Sequence, residues 1–291
     1  MKTSTGILLS IVIVSYRNEK VLRDCLESVQ KQNDIGESLE VIVVEQSPEN
    51  TIYNNLLSEH PEVMVLRNEN KGFGAGNNCG AGCARGKYLL FLNPDTILVE
   101  PVFKYALQQF ERYPKVGLFG VRLVSKDGNN NKSFHFRKPY GLTRLVLWRF
   151  FDKTNIFLPD KMYIAGADLF VRRDAFKMVG CFDEAMFMYY EETDLCDRLN
   201  QSGFDIAFFP EKKIVHLEGR SSVGENVFRQ QLDSLKHYCL KNSKSYTDYL
   251  KHMYRDRRMK MIFGLGDTTA AARETQILKE QLPSNDVGVK L

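Results

Sequence analysis

Through the first 120 residues, short continuous apolar runs alternate with stretches of helical spacing, and this alternation predicts a layered α/β domain. Leu8 to Ser15 is a β-branched run of the kind that a parallel sheet buries on both faces. Val21, Leu22, Cys25, Leu26 and Val29 then recur at helical spacing, followed by strands at Val41 to Val44 and Val63 to Leu66. Gly74 to Ala84 reads as a helix of small residues, Tyr88 to Leu92 as a fourth strand and Val102 to Phe110 as another helix. Right-handed crossovers turn this order into an open, mostly parallel sheet flanked by helices, with binding loops at the carboxyl ends of the strands.

Beyond that point, the apolar stretch Val116 to Val124 meets a polar Asp127-Gly128-Asn129 turn, which predicts a hairpin. Tyr163 to Val171 reads as one strand, Glu192 to Gln201 as a helix, and Ile206 to Phe209 and Ile214 to His216 as two more strands. From Val227 the pattern is helical to the end, with Pro283 to Leu291 as a frayed tail. The expected organisation is a main α/β domain over residues 1–222, divided near residue 120, and a C-terminal helical appendage over 223–291.

The 291 residues are 43% apolar, so the chain can bury a full core and is neither disordered nor collagenous. A net charge of +4 is too mild to signal nucleic-acid binding, and no recognition motif accompanies it. Its distribution is uneven. Residues 132–153 carry six Lys or Arg against one acid, and residues 236–260 carry eight against two. Both stretches interleave bases with aromatics: Phe134, Phe136, Tyr140, Trp148, Phe150 and Phe151 in the first, Tyr238, Tyr246, Tyr249 and Tyr254 in the second. Such segments suit an anionic membrane surface, and equally a solvated helix face or a basic homodimer interface.

Lys2 ahead of the apolar run Gly6 to Val14 imitates a secretory leader, but Tyr16-Arg17-Asn18-Glu19 stands where small cleavage-site residues belong, so the run is read as a buried strand. No segment reaches the ~20 apolar residues of a membrane span. The six cysteines form no C-x-x-C pair and suit a reducing cytoplasm. The expected location is cytoplasmic, peripheral on the inner face of the cell membrane if the basic stretches bind lipid.

Four features carry chemistry. Asn93-Pro94-Asp95 leaves a strand with two oxygen-bearing side chains at i and i+2, which can reach one hard divalent cation together with a diphosphate, although the same triplet is a common turn. Asn68 to Asn78 is Gly-rich and opens a helix; its glycines either admit an anionic ligand or let the helix pack close to the sheet. It is not the dinucleotide fingerprint, because the third glycine would fall on Asn77 or Cys79, which disfavours a nicotinamide oxidoreductase. Glu191, Glu192 and Asp194 follow Tyr189-Tyr190 at a helix start, where some act as dipole partners and one, half-buried among aromatics, can serve as a general base. His216 ends a short strand and is either a structural hydrogen-bonder or a metal ligand beside Asp95.

Taken in order, these segments resemble the inverting family 2 glycosyltransferases of the GT-A fold, and among them the rhamnosyltransferase-like branch of bacterial polysaccharide synthesis. The resemblance covers residues 8–222 and rests on Asn70 to Asn78, on Phe91-Leu92-Asn93-Pro94-Asp95-Thr96, and on Gly180 to Glu184 running into Met188 to Cys196. It implies transfer of a sugar, with inversion, from a nucleotide diphosphate donor to a hydroxyl of a growing, lipid-linked surface glycan. The implied donor is dTDP-rhamnose, or UDP-galactofuranose or another UDP-hexose. Residues 1–120 become the nucleotide-binding half and 121–222 the acceptor and catalytic half. Donor contacts fall on Ser15, Tyr16, Glu45, Gly74, Gly76, Asn77, Asn93 and Asp95, with Glu45 in place of the usual Asp against the nucleobase. The divalent cation, Mg²⁺ or Mn²⁺, falls to Asp95, with Asn93 and His216 completing its site. Glu192 takes the position of the base, with Glu for the usual Asp, beside Glu191 and Asp194. Asn93 and Glu192, each in place of a usual aspartate, leave a second reading: a catalytically silent sugar-nucleotide-binding subunit of a polysaccharide assembly complex.

Overall fold

Both faces of the first strand are buried, as its unbroken apolar run requires. In the computed structural model, which describes residues 6–137, 147, 150–217 and 224–283, β1 (Leu9–Ser15) sends Leu9, Ile11 and Ile13 into one core and Val12 into another on the opposite face. The fourth strand, β4 (Tyr88–Leu92), divides the same way, with Tyr88, Leu90 and Leu92 on one side and Leu89 and Phe91 on the other. The sheet is thus the middle layer between two apolar layers.

Between these strands the chain forms α1 (Glu19–Lys31), β2 (Leu39–Glu45), α2 (Asn50–Glu59), β3 (Met64–Arg67) and α3 (Phe73–Cys83). Helix α2 is absent from the pattern reading because it buries only Leu56 and so has no apolar stripe. Then come β5 (Thr96–Leu98), α4 (Phe103–Arg112), β6 (Val116–Val124), β7 (Phe134–Phe136), β8 (Met162–Ile164), β9 (Asp168–Arg172) and α5 (Arg173–Met178). Helix α6 (Glu191–Gln201) and strand β10 (Asp205–His216) complete the α/β layers.

The eight-stranded sheet has the order β3-β2-β1-β4-β9-β6-β10-β5. Its first four strands are parallel, the product of consecutive right-handed crossovers. Strand β9 runs antiparallel to both β4 and β6, β10 is parallel to β6, and β5 returns antiparallel to β10. The hairpin expected after Val124 is present as a turn in which Gly128 N–H donates to Ser125 and Val124 bridges Asn130.

Two strand readings are corrected. Tyr163 to Val171 is not one strand: Met162–Ile164 pairs with Phe134–Phe136 in a separate two-stranded sheet, and Asp168–Arg172 enters the main one. The apolar run is continuous because two different sheets bury its halves, and the small residues Ala165-Gly166-Ala167 make the crossing. Conversely, Ile206–Phe209 and Ile214–His216 belong to one strand, with a register shift between Phe209 and Lys213 where Pro210 has no N–H to donate.

The C-terminal helical run divides into α7 (Glu225–Lys241), α8 (Tyr246–Phe263) and α9 (Thr268–Gln281). Ser243 and Gly264 break it with φ of +52° and +64°, and Asp267 caps α9 by accepting from Ala270 N–H. These helices share a core of Phe228, Leu232, Leu235, Tyr238, Leu250, Met253, Ile277 and Leu278, closed on the main domain side by Met186.

That core changes the reading of the second basic stretch. Tyr238, Tyr249 and Tyr254 are buried and Tyr246 packs against them, so these rings do not form an outward aromatic face. Lys241, Lys244 and Arg257 also turn inward onto acids. Of the first stretch, Phe134 and Phe136 are buried, whereas Leu147 and Phe150 are exposed; Lys138, Tyr140, Arg144, Trp148 and Arg149 lie outside the described residues. No described helix is long and apolar enough to cross a membrane.

Candidate active site

The carboxyl ends of β1, β2 and β3 open a cleft of about 580 Å³ between Tyr16, the segment Gln46 to Pro48, and Arg67 to Asn70. Ser15 and Glu45 stand opposite each other at the ends of β1 and β2. Both are fully buried at the base of this edge. Glu45 Oε1 accepts from Ser47 N–H at 2.7 Å, while its buried Oε2 has no hydrogen-bond partner among the described residues. Ser15 Oγ donates to Asn18 Oδ1, and Arg17 N–H donates to Ser47 Oγ at 2.8 Å, which ties the two rims together. Tyr16 is exposed at the cleft mouth. Arg67 was not singled out in the sequence, although it ends a strand at the binding edge; its guanidinium lies over Tyr53 and donates to Pro48 C=O.

The Gly-rich segment does something else. A Cβ at Gly76 would lie 2.8 Å from Val14 Cγ1, and one at Gly80 would lie 2.4 Å from Val12 Cγ1, so α3 packs on the sheet at a separation only glycine permits. Gly74 faces Phe182, and the buried Asn77 donates to Phe73 C=O within its own helix. Gly74, Gly76 and Asn77 therefore pack α3 against the sheet and against Phe182. Of the two open uses of the glycines, close approach of helix to sheet is the one seen.

The loop after β4 brings the second group together. Because β5 runs antiparallel to β10, His216 lies opposite Thr96, and His216 Nε2 comes within 3.3 Å of Asp95 Oδ1. Leu217 N–H donates to Asp95 C=O at 2.9 Å, and Asn131 donates to His216 C=O, so the backbone on both sides is fixed. Asn93 sits at the start of this loop, its C=O accepting from Thr96 Oγ1 at 2.7 Å. Both side chains of the Asp95 and His216 pair are about a fifth exposed, with 18% and 19% of their surface open. A carboxylate oxygen and an imidazole nitrogen that converge at an open edge fit a divalent cation whose other ligands come from outside the protein. No set of three or more His, Cys, Asp or Glu side chains surrounds a metal position among the described residues, so the remaining ligands would be Asn93, solvent and the ligand itself.

The acid cluster completes the site. Tyr189 and Tyr190 hold φ of +71° and +69°, two consecutive left-handed residues that turn the chain sharply into α6. Glu191 and Glu192 start the helix, each with an enclosed Oε2 that has no hydrogen-bond partner among the described residues. Burial and then the charge of Glu192 push the Glu191 carboxyl well above the usual carboxylate range. Burial raises the Glu192 carboxyl to about 7. Its Cδ and Oε1 lie 3.9 Å from where a Cβ on Gly166 would be, and the next residue, Ala167, accepts from Asn93 N–H at 3.0 Å. Gly166-Ala167 thus links the acid to the Asn93-Pro94-Asp95 loop. Asp194, by contrast, is held through Oδ2 by Arg198 at 2.7 Å and Lys241 at 3.0 Å, while its enclosed Oδ1 has no hydrogen-bond partner among the described residues.

Residues 10–180 match the family described as glycosyl transferase family 2. The chain belongs to that family and is a glycosyltransferase. Rhamnosyltransferase WbbL of Escherichia coli (strain K12) is 24% identical over 251 residues, 79% of this chain and 92% of its own length. The N-acetylglucosaminyl-diphospho-decaprenol L-rhamnosyltransferase of Mycobacterium tuberculosis is 29% identical over 150 residues, and the match spans 48% of that protein. Among solved structures, the mannosyltransferase PcManGT from Pyrobaculum calidifontis, in complex with GDP-Man and Mn²⁺, superposes with a TM-score of 0.61 at 13% identity. That superposition covers 97% of this chain and 83% of the other and shows the GT-A fold. Glu191, Glu192 and His216 lie beyond the matched segment.

Proposed function

We propose that this glycosyltransferase transfers a sugar, with inversion, from dTDP-rhamnose or a UDP-hexose such as UDP-galactofuranose to a hydroxyl of a growing, lipid-linked bacterial surface glycan. The observation that carries the reading is the Gly166-Ala167 link, which sets a carboxyl raised to about 7 beside the loop bearing Asp95. The cleft between Tyr16 and Arg67 is the place for a nucleoside diphosphate, with the fully buried Ser15 and Glu45 behind its rim at the ends of β1 and β2. Asp95 and His216, with Asn93, would hold a divalent cation, which when bound neutralises the charge developing on the leaving diphosphate.

The step needs one proton acceptor. The acceptor oxygen bonds to the anomeric carbon as the bond from that carbon to the diphosphate breaks, and the hydroxyl proton passes to the Glu192 carboxylate. Burial of this carboxyl, whose Oε2 has no hydrogen-bond partner among the described residues, gives it the raised basicity this requires. Glu191, more deeply buried beside it, is pushed well above the usual carboxylate range by burial and by the charge of Glu192. No covalent intermediate is needed, in keeping with inversion.

Support for the donor and acceptor comes from the relatives: two are named rhamnosyltransferases, and the mycobacterial name specifies a decaprenol-linked substrate. The lipid-linked part of the reading places the enzyme against a membrane surface. The exposed Ile262 and Phe263 at the end of α8, near Arg255, offer the contact. The experiment is a thermal-shift panel of dTDP-rhamnose, UDP-galactofuranose and UDP-glucose with Mg²⁺ or Mn²⁺, since a donor that binds only the folded state raises Tm by mass action. One donor should stand out, and only with the cation. A panel in which no nucleotide sugar raises Tm overturns the reading.

A further inference from the structure

The C-terminal helices hold α6 at three levels. At its start, the Tyr238 ring on α7 stacks on Tyr190, the residue before Glu191, with centroids 5.6 Å apart and planes 26° from parallel. One turn later, Lys241 Nζ lies 3.0 Å from Asp194 Oδ2 and 2.7 Å from Asp183 Oδ2. At the next level, Asp197 Oδ2 accepts from the Tyr238 hydroxyl at 2.6 Å and from Lys244 at 2.8 Å, while Arg137 meets its other oxygen.

The four acids of α6 therefore divide by partner. Asp194 and Asp197 carry cations from Arg137, Arg198 and the appendage, although Asp194 Oδ1 has no hydrogen-bond partner, whereas Glu191 and Glu192 have enclosed Oε2 atoms and no paired cation among the described residues. Removing one member of a buried pair leaves the other charge uncompensated, so this division fixes how the helix can sit. The strained turn at Tyr189 and Tyr190 persists only where its surroundings over-determine it, and the Tyr238 ring is part of those surroundings. We infer that Tyr238, Lys241 and Lys244 are positioning residues of the transfer reaction, which set the register of α6 so that Glu192 stands against Gly166. The inference rests on the reading of Glu192 as the base, and it makes the appendage part of the catalytic machinery.

The test compares the double variant Lys241→Met, Lys244→Met with Lys241→Arg, Lys244→Arg, and Tyr238→Leu with Tyr238→Phe. Turnover is followed as nucleoside diphosphate release from whichever of dTDP-rhamnose, UDP-galactofuranose and UDP-glucose stabilises the protein, and affinity by calorimetry with UDP and dTDP. The Met pair and Tyr238→Leu should lose about 10- to 100-fold in kcat with nucleotide affinity unchanged within about twofold, and the Arg pair should recover most of it. In a Glu192→Gln background, Tyr238→Leu should cause no further loss, because it acts through that carboxylate. Full kcat in the Met pair, a parallel loss of nucleotide affinity, or, where Glu192→Gln itself lowers turnover, additive losses in the Gln background overturn the inference. If the Met pair does not fold, Tyr238→Phe, which loses only the hydroxyl, decides by the same readouts with an expected loss of about three- to tenfold. If Glu192→Gln keeps full turnover while the other variants lose kcat selectively, the base assignment falls and the positioning role of the three residues stands.

Discussion

His216 Nε2 stands 3.3 Å from Asp95 Oδ1, and the contact exists only because β10 runs back antiparallel along β5 with His216 opposite Thr96. Neither residue marks a metal site by itself in the sequence. Together they place one carboxylate oxygen and one imidazole nitrogen at the edge where the Asn93 loop begins.

Asp95→Ala should abolish transfer and remove the dependence of donor affinity on Mg²⁺ or Mn²⁺, since it takes away the anionic ligand. His216→Ala should weaken both, and Asn93→Ala should have the smallest effect because an amide oxygen binds a hard cation less strongly. Calorimetry of donor binding with and without a chelator checks the order. Full activity of Asp95→Ala in chelator overturns it.

Glu192→Gln keeps the shape of the side chain and removes its basicity, so turnover should fall by about two to four orders of magnitude with donor affinity nearly unchanged. The wild-type enzyme should lose kcat/KM as pH falls, with a midpoint near the value of about 7 to which burial raises this carboxyl. Stability moves the other way. Between 4.5 and about 7 the folded protein holds a proton here that the unfolded chain releases, so this group's contribution to stability is full below 4.5 and is lost as pH rises through 7. Plots of Tm against pH should therefore slope downward across that window in the wild type and less steeply in Glu192→Gln. A Glu191→Gln variant with the kinetic signature, and a Glu192→Gln without it, would reassign the base.

The parallel half of the sheet was legible because β1 and β4 are buried on both faces and their runs show it. The antiparallel half was not, since pairing of β9 between β4 and β6 is decided by side chains far apart in sequence. The same limit applies to the site. Asp95, Glu192 and His216 could be named from their strand and helix ends, but Gly166 and Ala167, which join them, look like the middle of an apolar strand. Asp168 was hidden likewise: it enters β9 fully buried, accepts from Val121 N–H at 2.7 Å, and burial pushes its carboxyl well above the usual range. A buried acid in an apolar run was the available signal.

The packing role of the glycines predicts opposite effects along one helix. Gly80→Ala puts a Cβ 2.4 Å from Val12 Cγ1 in the sheet and should cost about 1–3 kcal/mol. Gly82, on the exposed side of α3, has nothing within 4 Å of an added Cβ, and Gly82→Ala should stabilise by about 0.5–1 kcal/mol through helix propensity. Urea unfolding of both variants checks the pair. Equal effects would mean that α3 does not press on β1 through Gly80.

The membrane reading now points to particular residues. Arg257 pairs with Glu274 and Asp256, so replacing it would disturb the appendage rather than its surface. Arg255 is exposed, Arg258 lies over the Tyr254 ring, and Ile262 and Phe263 are 54% and 57% exposed at the end of the same helix. A base close to an anionic bilayer contributes about 1 kcal/mol, and two exposed apolar side chains can enter the headgroup layer beside it. The protein should therefore co-sediment with vesicles containing anionic lipid, release as salt rises, and bind less as Ile262→Ser, Phe263→Ser or as Arg255→Ser, Arg258→Ser. Gel filtration of the same variants separates this from a homodimer made by the same face, which would lose mass on substitution and ignore lipid. Equal recovery in the supernatant with neutral and anionic vesicles at low salt overturns the membrane contact and leaves the exposed end of α8 as a solvated face or a dimer surface.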